Sequence, residues 1–209
     1  EQNLCVRAYR LMQANYNTGN VKMHLHKIIP AGSGLGGGSS DAASVLTLLR
    51  RMFDIKICNN ELEMMASTLG NDCPFFIVNK PQLIEDKGRT TQKFIHLPSY
   101  HIVIVIPDFS ISTSWAYSKV QPTNQMLPDA DALTGNEEHW TEMLVNDFEK
   151  PLFGYYPQLM EIKVTLYNKG AFYASMSGSG SAIFGLFREM PDVNGLFPGY
   201  FVWTGNTCG

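Results

Sequence analysis

No stretch of this 209-residue chain approaches the roughly 20 consecutive apolar residues of a bilayer-spanning helix, and Glu1-Gln2-Asn3 lacks the basic-then-apolar pattern of a secretory signal. The cytoplasm is the expected location. Positive charge is also scarce. The 16 Lys and Arg stand against 19 Asp and Glu, a net charge of −3, so no general basic field exists for nucleic acid or an anionic membrane. Any anion binding must be local. The four cysteines, Cys5, Cys58, Cys73 and Cys208, include no C-x-x-C pair and read as reduced thiols, not a disulfide frame or a zinc site. His24 and His26 share a face at period two, but no carboxylate or cysteine lies near them in sequence, which argues against a metal site. Charged residues make up only 17% and hydrophobic ones 44%, the balance of a globular protein with one large domain or two modest ones.

Glycine, by contrast, is concentrated. Pro30 to Ala43 reads Pro-Ala-Gly-Ser-Gly-Leu-Gly-Gly-Gly-Ser-Ser-Asp-Ala-Ala, with five glycines and three serines ahead of an amphipathic helix. Glycine reaches φ > 0 and carries no Cβ, so successive backbone N–H groups can turn inward on phosphate. The following helix adds its unpaired N–H groups and the positive end of its dipole. Ser39 or Ser40 is expected to cap that helix, or to offer a hydroxyl to phosphate or to a phosphate-bound Mg²⁺, with Ser39 the candidate ligand. No lysine follows Gly38, which excludes a Walker A loop. A Rossmann fingerprint fits Gly32 to Gly37 only loosely, because the preceding residues 21–29 alternate instead of running apolar. A flexible linker is disfavoured by Ala42, Val45, Leu46, Leu49, Met52 and Phe53, which share one helical face.

The remaining pattern alternates helices and strands. Leu4, Ala8, Leu11, Met12 and Ala14 predict a helix over 3–15; a strand is expected over 21–29 and a helix over 40–53. A further helix is expected from Asn60 as N-cap, with Glu63 at N3 and Gly70 past its end, then a short strand from Phe75 to Val78. Glu85 to Arg89 reads as a polar crossing between domains, 101–106 as a buried strand, and Ser112-Thr113-Ser114 as the cap of a short helix over 115–120. After a Pro/Asp/Asn-rich loop over 121–136, helices are expected at 137–148 and from Tyr156 to Gly170. Strands at 171–176 and 181–187 flank Ser177-Gly178-Ser179-Gly180, and a last strand covers 200–203.

Asp72 is the best candidate for a group that handles an attacking hydroxyl, because Cys73-Pro74-Phe75-Phe76 beside it would desolvate the carboxylate and make it a better base. The other reading is a turn aspartate bonded to its own backbone. Ser177 to Gly180 is either a plain hairpin turn or a turn that packs against and steadies the first glycine loop. Thr113 is either a cap or a cap that also meets an anionic substrate.

Together these residues resemble the GHMP kinase superfamily, and within it the branch that phosphorylates 4-diphosphocytidyl-2-C-methyl-D-erythritol. Pro30 to Ala43 is similar to that family's ATP loop, and Leu69 to Phe76 to its catalytic-aspartate segment. Ser112 to Tyr117, Asn146-Asp-Phe-Glu149 and Met176 to Ser181 follow in the family's order. The resemblance implies an α/β (α+β) protein of two domains, an S5-like N-terminal one over 1–95 and a ferredoxin-like one over 96–209, with the active site in the cleft between them. It implies transfer of the γ-phosphoryl of ATP to the substrate 2-hydroxyl, with Mg²⁺, in the non-mevalonate route to isoprenoid precursors, by a monomer or homodimer. Pro30, Ala31, Gly32, Ser33, Gly34, Leu35, Gly36, Gly37, Gly38, Ser39 and Ser40 would wrap the ATP phosphates, and Lys27 would line the nucleotide site. Asp72 would take or orient the hydroxyl proton, Thr113 would lie beside the substrate, and Ser177, Gly178, Ser179 and Gly180 would support the loop. The family's opening Ala-Lys-Ile-Asn-Leu and Asp-Gly-Tyr-His motifs are not found here, so the expectation is a start well inside the family's N-terminal domain. A strand carrying the family's lysine would then pair with 21–29, and the chain alone would be a poor kinase. The alternatives are another GHMP small-molecule kinase or a non-catalytic nucleotide-binding remnant.

Overall fold

The Asn3 side chain accepts from the amides of Cys5 and Val6 and starts α1, Leu4–Asn15. This capped helix and those after it belong to a computed structural model that describes residues 3–85, 90–121, 133–134 and 137–207, with the backbone alone at 85 and 90–94. The chain divides into two units, Glu1–Ile29 with Gly36–Phe94, and Pro30–Leu35 with Ile95–Gly209. The glycine loop is therefore shared, its first half counted with the second unit and its second half with the first.

In the first unit, α1 packs on α2, Gly37–Met52, with α3, Asn59–Ser67, and α4, Phe75–Val78, completing the layer. The core is Cys5, Ala8 and Met12 from α1, Ala42, Val45, Leu46 and Leu49 from α2, and Leu62, Ala66, Leu69 and Cys73 beyond. Met12, Leu46 and Leu62 are fully buried, each stabilising the unit by about 1.5–3 kcal/mol. Met52, expected on this face, is 65% exposed, whereas Phe53, expected there too, packs on it.

Four expectations change here. Residues 21–29 form no strand; all but Val21 are exposed, and no neighbour among the described residues ladders with them, so their backbone has no partner to hold it extended. Phe75–Val78 is one helical turn closed by Asn79 at φ 53, since four apolar residues carry too little periodicity to separate strand from helix. The helix expected to be capped by Asn60 is α3, with Cys58 as N-cap, whose amide donates to Glu61 at 2.9 Å, and Thr68 as C-cap, without a left-handed Gly70. The helix expected from 40 begins at Gly37, as described below. β1, Gln82–Glu85, and β2, Thr90–Phe94, pair antiparallel on either side of the polar crossing, of which 86–89 lie outside the described residues.

The second unit is an antiparallel four-stranded sheet in the order β4-β5-β3-β6, formed by β3, His101–Ile106, β4, Tyr173–Met176, β5, Ile183–Phe187, and β6, Phe201–Asn206. Val103 faces Gly185 on one side and Thr204 on the other, which fixes the register. Along the chain come α5, Thr113–Tyr117, a 3-10 turn at Glu137–His139, and α6, Trp140–Met143. α7, Glu149–Tyr155, and α8, Pro157–Asn168, follow, and α8 buries Leu159, Ile162 and Leu166 against β4 and β5. The helix expected over 137–148 breaks at Leu144, whose carbonyl accepts the Tyr173 hydroxyl at 2.8 Å. The 121–136 loop lies outside the described residues except for Gln121, Leu133 and Thr134, and Cys208 is also outside them.

Candidate active site

Gly36 sits in the left-handed region at φ 65 and is the N-cap of α2, with no side-chain cap bond. Ser39 and Ser40 therefore fall inside the first turn; the expected serine cap is corrected, because glycine reverses the chain three residues earlier without steric cost. The bond from Ser40 N to Gly36 O, at 2.9 Å, closes the first turn. It leaves the amides of Gly37, Gly38 and Ser39 at the positive end of a 16-residue helix. That is an anion-binding geometry.

Lys27 stands directly over this turn. Its Nζ is 2.7 Å from Asp41 Oδ2, and a Cβ built on Gly37 would come within 3.3 Å of it. A Cβ on Gly36 would meet the Phe76 ring at 2.9 Å, so the ring covers the cap closely. On the buried side, burial pushes the Cys73 thiol up, against the opposing pull of the Ser39 hydroxyl hydrogen-bonded to it. The segment that carries Asp72 is thereby held beside the turn. Asp72 itself is exposed in the turn at 71–74, so the expected desolvation by Phe75 and Phe76 is corrected: adjacency in sequence does not cover the carboxylate.

The other half of the loop is built differently. Ser33 is buried and its carbonyl accepts the Ala182 amide at 2.9 Å. Gly34, at φ 81, has its carbonyl bonded by Ser177 Oγ at 2.9 Å, and a Cβ there would lie 2.3 Å from the Ser177 carbonyl. Both readings of Ser177 to Gly180 hold together: it is the β4–β5 turn, and it is laced to Pro30–Leu35. Ser179 Oγ approaches Thr113 Oγ1 at 3.5 Å, and Thr113 is exposed at the start of α5, where Ser112 supplies the cap.

Two side chains anchor that turn, and local sequence reading gave neither a role. Asn146 donates from Nδ2 to the carbonyls of Met176 at 2.7 Å and Gly178 at 2.8 Å. Glu149 accepts from Met176 N at 2.8 Å and pairs with Lys163 Nζ at 2.6 Å. Their acceptors and donors are largely backbone groups, which leave no signature in sequence. Asp41 was also missed; its only signal is a carboxylate two residues after Ser39, fourteen residues from the lysine it binds. Among the described residues no cluster of three or more His, Cys, Asp or Glu could hold a metal, and no helix is long and apolar enough to cross a membrane.

Comparison with known proteins gives the family. Residues 3–80 match the model of the GHMP kinases N terminal domain, and 130–194 that of the GHMP kinases C terminal. The chain is 43% identical over 189 residues to 4-diphosphocytidyl-2-C-methyl-D-erythritol kinase of Bacteroides thetaiotaomicron, covering 90% of this chain and 69% of that one. The enzyme of the same name from Parabacteroides distasonis is 40% identical over 208 residues, covering 98% and 77%. A crystal structure of 4-(cytidine 5'-diphospho)-2C-methyl-D-erythritol kinase superposes with a TM-score of 0.82 at 34% identity over 98% of this chain and 77% of that one. Homoserine kinase from Cytophaga hutchinsonii, at 17% identity and a TM-score of 0.66 over 100% of this chain and 76% of that one, shares the fold.

Proposed function

The chain belongs to the GHMP kinases, and within them to the 4-diphosphocytidyl-2-C-methyl-D-erythritol kinase family; on that premise we propose how its residues divide the work of phosphoryl transfer. The reaction moves a phosphoryl group from ATP to 4-diphosphocytidyl-2-C-methyl-D-erythritol, and the receiving group is the 2-hydroxyl. The identity to kinases of that name supports this substrate over homoserine or mevalonate, whose kinases match in fold at 17% identity or less.

Phosphoryl transfer asks chiefly for positioning and charge stabilisation. The observation that carries the assignment is the open amino end of α2, with three amides ahead of the first intrahelical bond and the Lys27 ammonium above Gly37. Those amides receive the phosphate oxygens, and Lys27 offsets their charge. Pro30–Leu35, pinned by Ala182 and Ser177, holds the remainder of the loop in shape. Asp72, exposed beside the Ser39-bonded Cys73, accepts the proton of the attacking hydroxyl, and Thr113 lies along the diphosphocytidyl substrate.

Mg²⁺ keeps most of its ligands as water and phosphate oxygens and needs few from protein, which the serine hydroxyls of the first turn fit. Ser39 or Ser40 would hold it, and it would supply charge neutralisation on the phosphates. The test is turnover with ATP of the diphosphocytidyl substrate beside homoserine and mevalonate. Preference for either competitor refutes the substrate assignment.

A further inference from the structure

Residues 22–29 are exposed and irregular, yet they carry Lys27, the side chain that stands over the phosphate-binding turn. An irregular exposed segment places a lysine head poorly, because the four-carbon stem has many rotamers to lose. What fixes this head is Asp41. Its carboxylate projects from the second turn of α2, is only 23% exposed, and accepts from Lys27 Nζ at 2.7 Å. The anchor thus lies on the helix whose amino end faces the phosphates, so it brings the ammonium to the same spot that the helix dipole already favours for an anion. A carboxylate so near that end would repel phosphate if it stood alone. Joined to Lys27, it is neutralised and its repulsion removed.

We infer that Asp41 is a positioning residue for nucleotide binding: it recruits Lys27, and with it the 22–29 segment, onto the first turn of α2. This rests on reading that turn as the ATP phosphate site. Asp41 acts only through Lys27, and a sign reversal follows. With Lys27 present, loss of the Asp41 charge frees the ammonium from its station and weakens ATP. With Lys27 absent, the same change deletes an unpaired negative charge and strengthens ATP.

The experiment has two arms. In the first, Lys27 of the nucleotide-free protein is acetylated with dilute acetic anhydride and followed by mass spectrometry. Asp41→Asn should raise the rate about 5-fold or more, as a charge-assisted hydrogen bond is lost, and Asp41→Glu should keep it slow. In the second, ATP binding is titrated calorimetrically. Asp41→Asn should weaken it about 10-fold in the native background and tighten it about 3-fold in a Lys27→Met background, while Asp41→Glu stays within about 3-fold of the native protein. Unchanged acetylation, unchanged affinity, or a weakening that adds to that of Lys27→Met would overturn the inference. Circular dichroism of each variant separates these results from misfolding, and Asp41→Ser repeats the test if Asp41→Asn does not fold. Should both arms come out as stated in a protein that phosphorylates no diphosphocytidyl substrate, the positioning role stands and the kinase assignment falls.

Discussion

The two halves of the glycine loop share a composition and differ in what holds them. Pro30–Leu35 is bound on its carbonyls, by Ala182 at Ser33 and by Ser177 at Gly34, and has no room for a side chain at Gly34. Gly36 to Ser40 is closed by its own first helical bond and by Ser39 against Cys73, and what approaches it are side chains, the Phe76 ring at Gly36 and the Asp41-held Lys27 head at Gly37. Glycine lets backbone meet backbone in the first half, and in the second it leaves room for those side chains over the open amides of α2. We read the first half as scaffold and propose the second as the place that receives an anion.

The sharpest way to break this contrast is to add a side chain to each half. At Gly34 a Cβ would lie 2.3 Å from one carbonyl oxygen and 2.7 Å from another, at φ 81, so neither partner can yield. We expect Gly34→Val to cost about 3–5 kcal/mol, seen as a large fall in thermal midpoint. A melting curve like that of the native protein would show that the lacing to 177–180 is not structural.

Beside the second half, at the turn that carries Asp72, charge should matter without stability. Asp72→Asn is expected to lower kcat by about 10²-fold or more with ATP affinity unchanged, because the amide keeps shape but accepts no proton. Preserved kcat would return Asp72 to a turn residue. A smaller effect is expected at Gly37, where an added Cβ meets only the Lys27 head at 3.3 Å. Gly37→Ala should leave the melting temperature near native and weaken ATP about 5- to 10-fold by moving that ammonium. A stability loss with unchanged ATP affinity would reverse the roles assigned to the two halves.

The smallest effect separates the units by pH. Burial pushes the Tyr173 hydroxyl of the second unit up to about 12, so the folded chain keeps it protonated while the unfolded chain ionises near the ordinary value of 10. Its stabilisation is complete below pH 10 and is lost as pH rises towards 12, a fall of about 1 kcal/mol by pH 11. In the first unit the Cys58 amide holds the Glu61 carboxyl below its usual range. That contribution is present at neutral pH and lost as acid protonates the carboxylate. Denaturant titrations across pH would show the alkaline slope, and Tyr173→Phe should reduce it, leaving the part that comes from Tyr100, which burial and the Glu137 carboxylate also push up to about 12.

What the sequence reveals follows from the range of the interaction concerned. The glycine loop and its helix are legible because chain reversal, dipole and apolar face all come from residues within one or two turns. α8 is legible for the same reason, with Leu159, Ile162 and Leu166 at helical spacing. Alternation over 21–29 misled, since a strand exists only with a neighbour. The Lys27–Asp41 pair was invisible because its members are joined through an irregular segment with no period to read. The exposure of Asp72 depends on the path of a four-residue turn, which composition does not specify.

Asn146 gives the second unit a chemical clock. Both of its amide hydrogens are engaged by carbonyl oxygens, those of Met176 and Gly178, while its own oxygen accepts from Phe148. Hydrolytic deamidation replaces the amide by a carboxylate that has no hydrogen to donate and turns negative charge on two oxygens already rich in electrons. Where the product is plain aspartate, the change adds a single mass unit and sets attraction to repulsion at the turn that grips Gly34. Any molecule converted at this one position should therefore lose the grip on its loop scaffold.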